Sequence, residues 1–357
     1  MLKTQFASSL ILAGYVLAWV LGSEMTQLIT TDRENSFEKP AFLTFLNHLG
    51  LIIFFPVVSV CVRAEHGSLH NYLNHWSGTK TPTHLFFVYG AVSLVYNTCI
   101  YCWVTGLEFI DVSLSNGLYQ LQTLFALVLS YIFLKEKFEN QKLQGVAVAI
   151  IGVAFVCIPP IFLTDDSDSK NDDTSLSKGV MWTVLSAAMW GGYEVSFSSV
   201  IIYKKDETKK ISESAGADGV VETLTCLGFV GLGTLFFGAP CLVLLDATGI
   251  ETFTLPVGVQ WSNVLVNFAI SMLFDFFFGL ALFKTSPVCV SLVSSLVIPV
   301  SFIADHIFHD KELEITPFFG SALVILGLWR MNGGVTQSAV DKPCDDNRDT
   351  DKLLVWT

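Results

Sequence analysis

Three carboxylates stand inside apolar stretches of this chain: Glu24, Glu194 within "MWGGYEVSFSS" and Asp275 within "MLFDFFFG". Neutral polar side chains accompany them, namely Asn97, Gln120, Asn267, Ser294 and Ser295. A charge in such surroundings is costly and marks a functional candidate, so these acids suit the binding of a cationic solute or of a coupling proton. No nucleophile has a base partner in the same stretch, and an enzyme is not expected. None of the stretches holds Lys or Arg away from its ends. A phosphate or diphosphate is usually met by those residues, so three acids without bases favour a cationic or neutral substrate. Tyr15, Trp19, Tyr96, Tyr119, Trp190 and Tyr193 could stack on a flat or cationic ring; packing and an interfacial aromatic belt are the plainer readings. Plainer readings exist for the polar groups as well. Asp275, Asn97 and Gln120 could simply bridge helices, and Glu24 could reach the surface.

The elements that must position these groups are membrane spans. Of 357 residues, 52% are hydrophobic and only 15% charged, with a mean hydropathy of +0.56. Soluble domains carry about 25% charged residues. A helix needs about 20 mostly apolar residues to cross a bilayer, and ten runs qualify: 6–29, 42–62, 84–107, 112–134, 143–163, 179–203, 220–245, 260–283, 286–308 and 315–331. The first is read as a span rather than a cleaved leader. Hydrocarbon obliges each to be helical, because every backbone polar group must be paired internally. The fold expected is therefore all-α, with ten transmembrane helices in a lipid bilayer. A net charge of −12 argues against a nucleic-acid partner. Cys99-x-x-Cys102 has no matching pair for a zinc site, and no phosphate-binding glycine motif is present, so neither a metal nor a cofactor is expected.

Lys and Arg in the connecting segments set the orientation. With a cytosolic N-terminus, the cytosolic segments hold fifteen of the twenty basic residues. Both termini are then cytosolic, and the acidic segment 164–178 (TDDSDSKNDDTSLSK) lies on the other side. The polar tail 332–357 is expected to be disordered. It carries Asp349, Leu353 and Leu354 in "DTDKLLVWT", which resembles an acidic dileucine signal read by a sorting adaptor. An endomembrane such as the vacuole, lysosome or Golgi is expected over the cell surface.

The halves repeat. Residues 106–152 align without a gap to 281–327, at an offset of 175. Leu121 meets Leu296, Glu139 meets Glu314, and Gly145 and Gly152 meet Gly320 and Gly327. Five spans per half is an odd number, so the second half enters from the opposite side and the repeats are inverted, a frequent transporter architecture. The expected units are 1–163 and 179–331, joined by 164–178. Two glycines seven apart share one helical face and would let neighbouring helices approach closely.

"FLKEKFENQKLQGVAVAIIGVAFV" and its second copy "FHDKELEITPFFGSALVILGLW" resemble the end of an EamA-type repeat of the drug/metabolite transporter superfamily. "FEKPAFLTFLNHLGLIIFFPV" (37–57) is similar to solute carrier family 35, subfamily F. The resemblance implies a ten-helix carrier of a small organic solute. Solute carrier family 35 includes nucleotide-sugar antiporters, and some subfamily F members are linked to thiamine or nucleobase-like solutes. The leading expectation is secondary-active transport of a cationic or vitamin-like small molecule by alternating access, with Glu194, Glu24 and Asp275 supplying charge and Asn97, Gln120, Tyr193 and Asn267 completing the site. The alternatives are an exchanger of nucleotide sugars or other organic anions, and a membrane receptor or scaffold.

Overall fold

The computed structural model describes residues 2–32, 34–77, 82–134, 140–162, 170–208, 218–284, 290, 293–309 and 315–340. Among these residues the chain is helical and contains no strand. The first half holds α1 (Leu2–Thr31), α2 (Pro40–Leu49), α3 (Phe54–His66), α4 (Leu69–Ser77), α5 (Pro82–Leu107), α6 (Val112–Tyr119), α7 (Gln122–Leu134) and α8 (Asn140–Phe162). The second half holds α9 (Lys170–Thr208), α10 (Asp218–Gly233), α11 (Ala239–Thr248), α12 (Val259–Lys284), α13 (Val297–His309) and α14 (Ile315–Val340).

Five helical stretches are long and apolar enough to cross a membrane: Ser9–Thr31, Pro40–His66, Phe87–Leu107, Val220–Thr248 and Val259–Ala281. Leu143–Val156, Val297–Phe308 and Phe318–Gly327 are shorter apolar helices. Large apolar side chains point outward along them, such as Val60 at 76% and Val243 at 67% exposure. In water each would forgo about 1.5–3 kcal/mol of burial; in hydrocarbon they sit in their own solvent. The chain is an integral membrane protein.

The expected fourth run, 112–134, is a broken helix. Its turn at 120–121 carries three-residue hydrogen bonds, Leu121 N to Leu118 O at 3.0 Å and Thr123 N to Gln120 O at 3.2 Å. The turn at 295–296 carries the same pair, Leu296 N to Val293 O at 3.0 Å and Ile298 N to Ser295 O at 3.3 Å. The two breaks are thus one motif written twice, 175 residues apart.

Packing follows the small residues. A Cβ at Gly152 would lie 2.6 Å from Val324 N, and one at Gly327 would lie 2.5 Å from Gly145 O. The backbones of α8 and α14 touch along this seam, as the paired glycines led one to expect. Elsewhere α1 packs on α12, α5 on α9, α10 on α3, and α6 on α13.

Two boundaries differ from the expected ones, and one helix was not expected. The ninth helix begins at Lys170, so residues 170–178 of the expected acidic loop are helical. The last helix continues to Val340, past the expected start of the tail at 332. An additional short helix, α4, follows α3; its Trp76 stacks on Phe229 at 5.2 Å and 11°. Residues 163–169, 209–217 and 341–357, with Asp349, Leu353 and Leu354, lie outside the described residues.

Candidate functional site

Tyr89, Tyr96 and Trp103 are seven residues apart on α5, two helical turns each, and so share one face. This face shows how the interior changes with depth. Tyr89 belongs to a closed aromatic layer, stacked on Phe229 at 5.1 Å and facing Trp76 at 6.0 Å. Tyr96 and Trp103 instead line a cavity of about 600 Å³, a volume that includes its open mouth. Trp19, Gly22 and Thr26 of α1 line it too, with Asn47 and His48 of α2, Tyr119, Trp190, and Ser271, Phe274 and Asp275 of α12. Among these residues there is no Lys or Arg. The lining runs from Asp275 and Trp190 near mid-helix to Thr26, Asn47 and Trp103, close to the loops at 32–39 and 108–111.

The walls are aromatic. Trp19 meets Tyr119 edge-on at 5.4 Å and Phe274 edge-on at 5.7 Å. Its indole Nε1 donates to Asn116 Oδ1 at 3.0 Å, and Asn116 Nδ2 donates to Ser301 Oγ at 2.8 Å, so the ring is held from behind. Tyr96 is held on both faces, stacked on Tyr193 at 4.7 Å and on His48 at 4.2 Å. Its hydroxyl donates to Asp275 Oδ1 at 2.5 Å.

Polar groups in the wall are tied to groups outside it. Asn97 Oδ1 lies 3.1 Å from His48 Nδ1. Asn47 Nδ2 donates to Asn267 Oδ1 at 2.8 Å, and Asn267 Nδ2 donates to Thr26 Oγ1 at 2.9 Å. Two polar atoms of lining residues are buried without a hydrogen bond, Trp103 Nε1 and Asn47 Oδ1. Each costs about 1–3 kcal/mol while unpaired, and both atoms stand within the wall with almost no surface open to the cavity.

The expected site residues divide accordingly. Asp275 lines the cavity. Asn97, Asn267 and Tyr193 stand directly behind its wall and hold His48, Asn47 and Tyr96. Glu194 accepts from Trp190 Nε1 at 2.9 Å, one turn away on α9, and is not itself part of the lining. Glu24 is buried on α1, outside the lining. Gln120 sits elsewhere, at the α6–α7 break, where its Nε2 donates to Ser294 O at 3.2 Å. Sequence reasoning missed Asn47, His48, Thr26 and Trp103. A signal existed in "FLNHLG", two adjacent polar side chains in a run otherwise free of charge.

Acidic side chains gather beside the start of α2 and the end of α5. The Glu251 carboxylate accepts from Ala41 N and Phe42 N at 3.0–3.1 Å, capping α2, whose first residue Pro40 needs no donor partner. Burial raises the Glu251 pKa, and these hydrogen bonds and Lys39 oppose the rise. Glu108 nearby is pushed up to about 7, first by burial and then by the charges of Glu38 and Glu251.

A membrane protein whose described residues are helical and line an aromatic, acid-bearing cavity describes a class, and comparison with known proteins narrows it. Residues 9–158 match the EamA-like transporter family, so the chain carries an EamA domain. An uncharacterized vacuolar membrane protein of Saccharomyces cerevisiae is 25% identical, covering 90% of this chain and 89% of its own length. A thiamine-repressible mitochondrial transport protein of the same yeast is 26% identical, over 94% and 93%. Solute carrier family 35 member F5 of Pongo abelii is 30% identical over 61% of this chain, which is 38% of that protein. One solved crystal structure superposes with a TM-score of 0.54 at 15% identity, covering 94% of this chain and 99% of the other; that likeness concerns the fold alone. The resemblance to the drug/metabolite transporter superfamily and to solute carrier family 35, subfamily F, read first from short motifs, is borne out.

Proposed function

We propose that this protein is a secondary-active transporter of a small organic cation, flat-ringed or vitamin-like, working by alternating access. The observation that carries the reading is Asp275: a carboxylate in an aromatic-walled cavity whose lining holds no Lys or Arg. Aromatic faces attract cations by about 0.5–2 kcal/mol each, and the carboxylate supplies the charge. A nucleotide sugar or other organic anion would meet the same carboxylate with nothing basic to offset it, which disfavours the exchanger reading. A receptor or scaffold has no evident use for a carboxylate in an interior aromatic cavity. The names of one yeast relative, a mitochondrial transport protein, and of the solute carrier family support transport, without naming a substrate.

The architecture we infer is two inverted five-helix repeats, ten spans in all, with both termini cytosolic. Three features support it. The helix breaks at 120–121 and 295–296 share the sequence offset of 175. The first span packs on the eighth as the sixth packs on the third (α1 on α12, α9 on α5), the exchange that a twofold relation would produce. The basic residues divide fifteen to five. In this arrangement the cavity faces the non-cytosolic side, and the layer of Tyr89, Trp76 and Phe229 closes the cytosolic one. Buried Glu24 and half-buried Glu194, outside the lining, serve proton coupling in this scheme. A vacuolar or other endomembrane location accords with one yeast relative and with a sorting adaptor acting on Leu353 and Leu354.

The test is uptake of a panel of radiolabelled solutes into proteoliposomes: thiamine and simple aromatic cations against nucleotide sugars. Saturable cation uptake that falls tenfold to a hundredfold in Asp275→Asn is expected, since a hydrogen bond to a charged group contributes about 1.5–3 kcal/mol. Uptake of nucleotide sugars alone, indifferent to Asp275→Asn, would replace this reading with the exchanger.

A further inference from the structure

Resting on the cationic reading just given, we infer that His48 reads the substrate: its bare Nε2 accepts a hydrogen bond from an N–H of the solute, and Asn97 is the positioning residue that keeps it bare. A backbone carbonyl fixes the tautomer. Ser93 O can only accept, and an Asn97 amide atom lies 2.8 Å from it, so that atom is Nδ2, a donor. Nδ2 also lies 2.9 Å from Thr234 Oγ1. The other amide atom, Oδ1, therefore faces His48 Nδ1 at 3.1 Å. Oδ1 can only accept, so Nδ1 carries the proton, and in a neutral ring Nε2 has none. Stacking on Tyr96 at 4.2 Å holds the ring plane, and the Tyr96 hydroxyl is committed to Asp275. Nε2 makes no hydrogen bond among the described residues, and His48 lines the cavity. Thr234 opens a π-helical turn, Thr234–Gly238, a feature frequent at functional sites. That turn sits at the far end of the chain of contacts that fixes the imidazole.

Counting what the wall offers gives the substrate class. On the cavity face His48 Nε2 and the Asp275 carboxylate are acceptors, and the Ser271 hydroxyl can donate or accept. Two groups that only accept select a ligand that brings N–H donors to them. The cation is thus an aminated flat ring, and a ring of equal size and charge without N–H groups is rejected, because it would leave the acceptors unpaired.

Two measurements test this on the full chain in detergent. Nitrogen-15 histidine NMR, with His48 assigned by its absence in His48→Phe, should show Nδ1 protonated and Nε2 bare; Asn97→Leu should mix the two tautomers. Binding is then compared for the N-methyl cation of para-aminopyridine and for its dimethylamino analogue, which has the same charge and no N–H. The wild type should prefer the aminated cation about tenfold, and His48→Phe, which keeps a ring against Tyr96, should bind both alike. A proton on Nε2, or a wild type that binds both cations equally well, overturns the role of His48 while sparing the cationic reading. Failure of both cations to bind overturns that reading, and the substrate class inferred here with it.

Discussion

Glu194 and Trp190 are one turn apart on α9 and joined by a 2.9 Å hydrogen bond. Trp190 lines the cavity, so a change at the carboxylate is felt by the ring that a substrate would touch. Glu194→Gln keeps an oxygen for the indole N–H and removes the titrating proton. We expect uptake by this variant to lose its pH dependence while KM stays within a few-fold of wild type; an unchanged pH profile would leave Glu194 with the orientation of Trp190 alone. Glu108 gives a second prediction, about stability. Its carboxyl is pushed up to about 7 by burial, with help from Glu38 and Glu251, against about 4.3 in an unfolded chain. Between those values the folded state holds a proton that the unfolded state has released. Its contribution is therefore complete below about pH 4.3 and is lost as pH rises through about 7. Glu108→Gln should melt higher than wild type at about pH 8 and equally at about pH 4; equal melting at both would contradict the assignment. Asp275 could be read from sequence because a carboxylate between phenylalanines admits few explanations. His48 left only the faint trace of a polar pair in "FLNHLG", since a neutral imidazole adds nothing to a charge count, and its partners Tyr96 and Asn97 lie about fifty residues away.

Apolar length made five of the ten expected spans legible at the scale of elements, but length alone cannot show where a helix breaks. The turn at 120–121 falls in an apolar run containing neither Gly nor Pro at the turn itself, and only its hydrogen bonds reveal it. Helix α4 was illegible for the opposite reason. Its nine residues, LHNYLNHWS, are too polar and too short to register as a span, yet Trp76 packs against Phe229 and Tyr89. The close approach at the seam between α8 and α14 was expected from glycine spacing, though not which helices would meet, and it supplies the third prediction. At Gly320 a Cβ would lie 2.7 Å from Gly152 O and 3.0 Å from Val156 N, atoms that cannot yield without moving a helix. Gly320→Val should therefore cost about 1–3 kcal/mol, read as a fall in melting temperature. A variant as stable as wild type would mean that the helices separate freely.

Topology and transport belong to the whole molecule. Ser177 is exposed near the start of α9, and Glu65 is exposed near the end of α3. In a cysteine-free background, Ser177→Cys should react with an impermeant maleimide only from the non-cytosolic face, and Glu65→Cys only from the cytosolic face. Labelling from the reverse sides would invert the orientation and with it the direction in which the cavity opens. The central claim, that Asp275 receives a cation which the two halves then carry across, is tested most directly by transport current. Proteoliposomes adsorbed on a solid-supported electrode are given a step of aromatic cation, and the charge moved is compared between wild type and Asp275→Asn at matched protein content. The account predicts a saturable inward positive current in the wild type that is lost in the variant. A current of undiminished size and affinity in Asp275→Asn would contradict it.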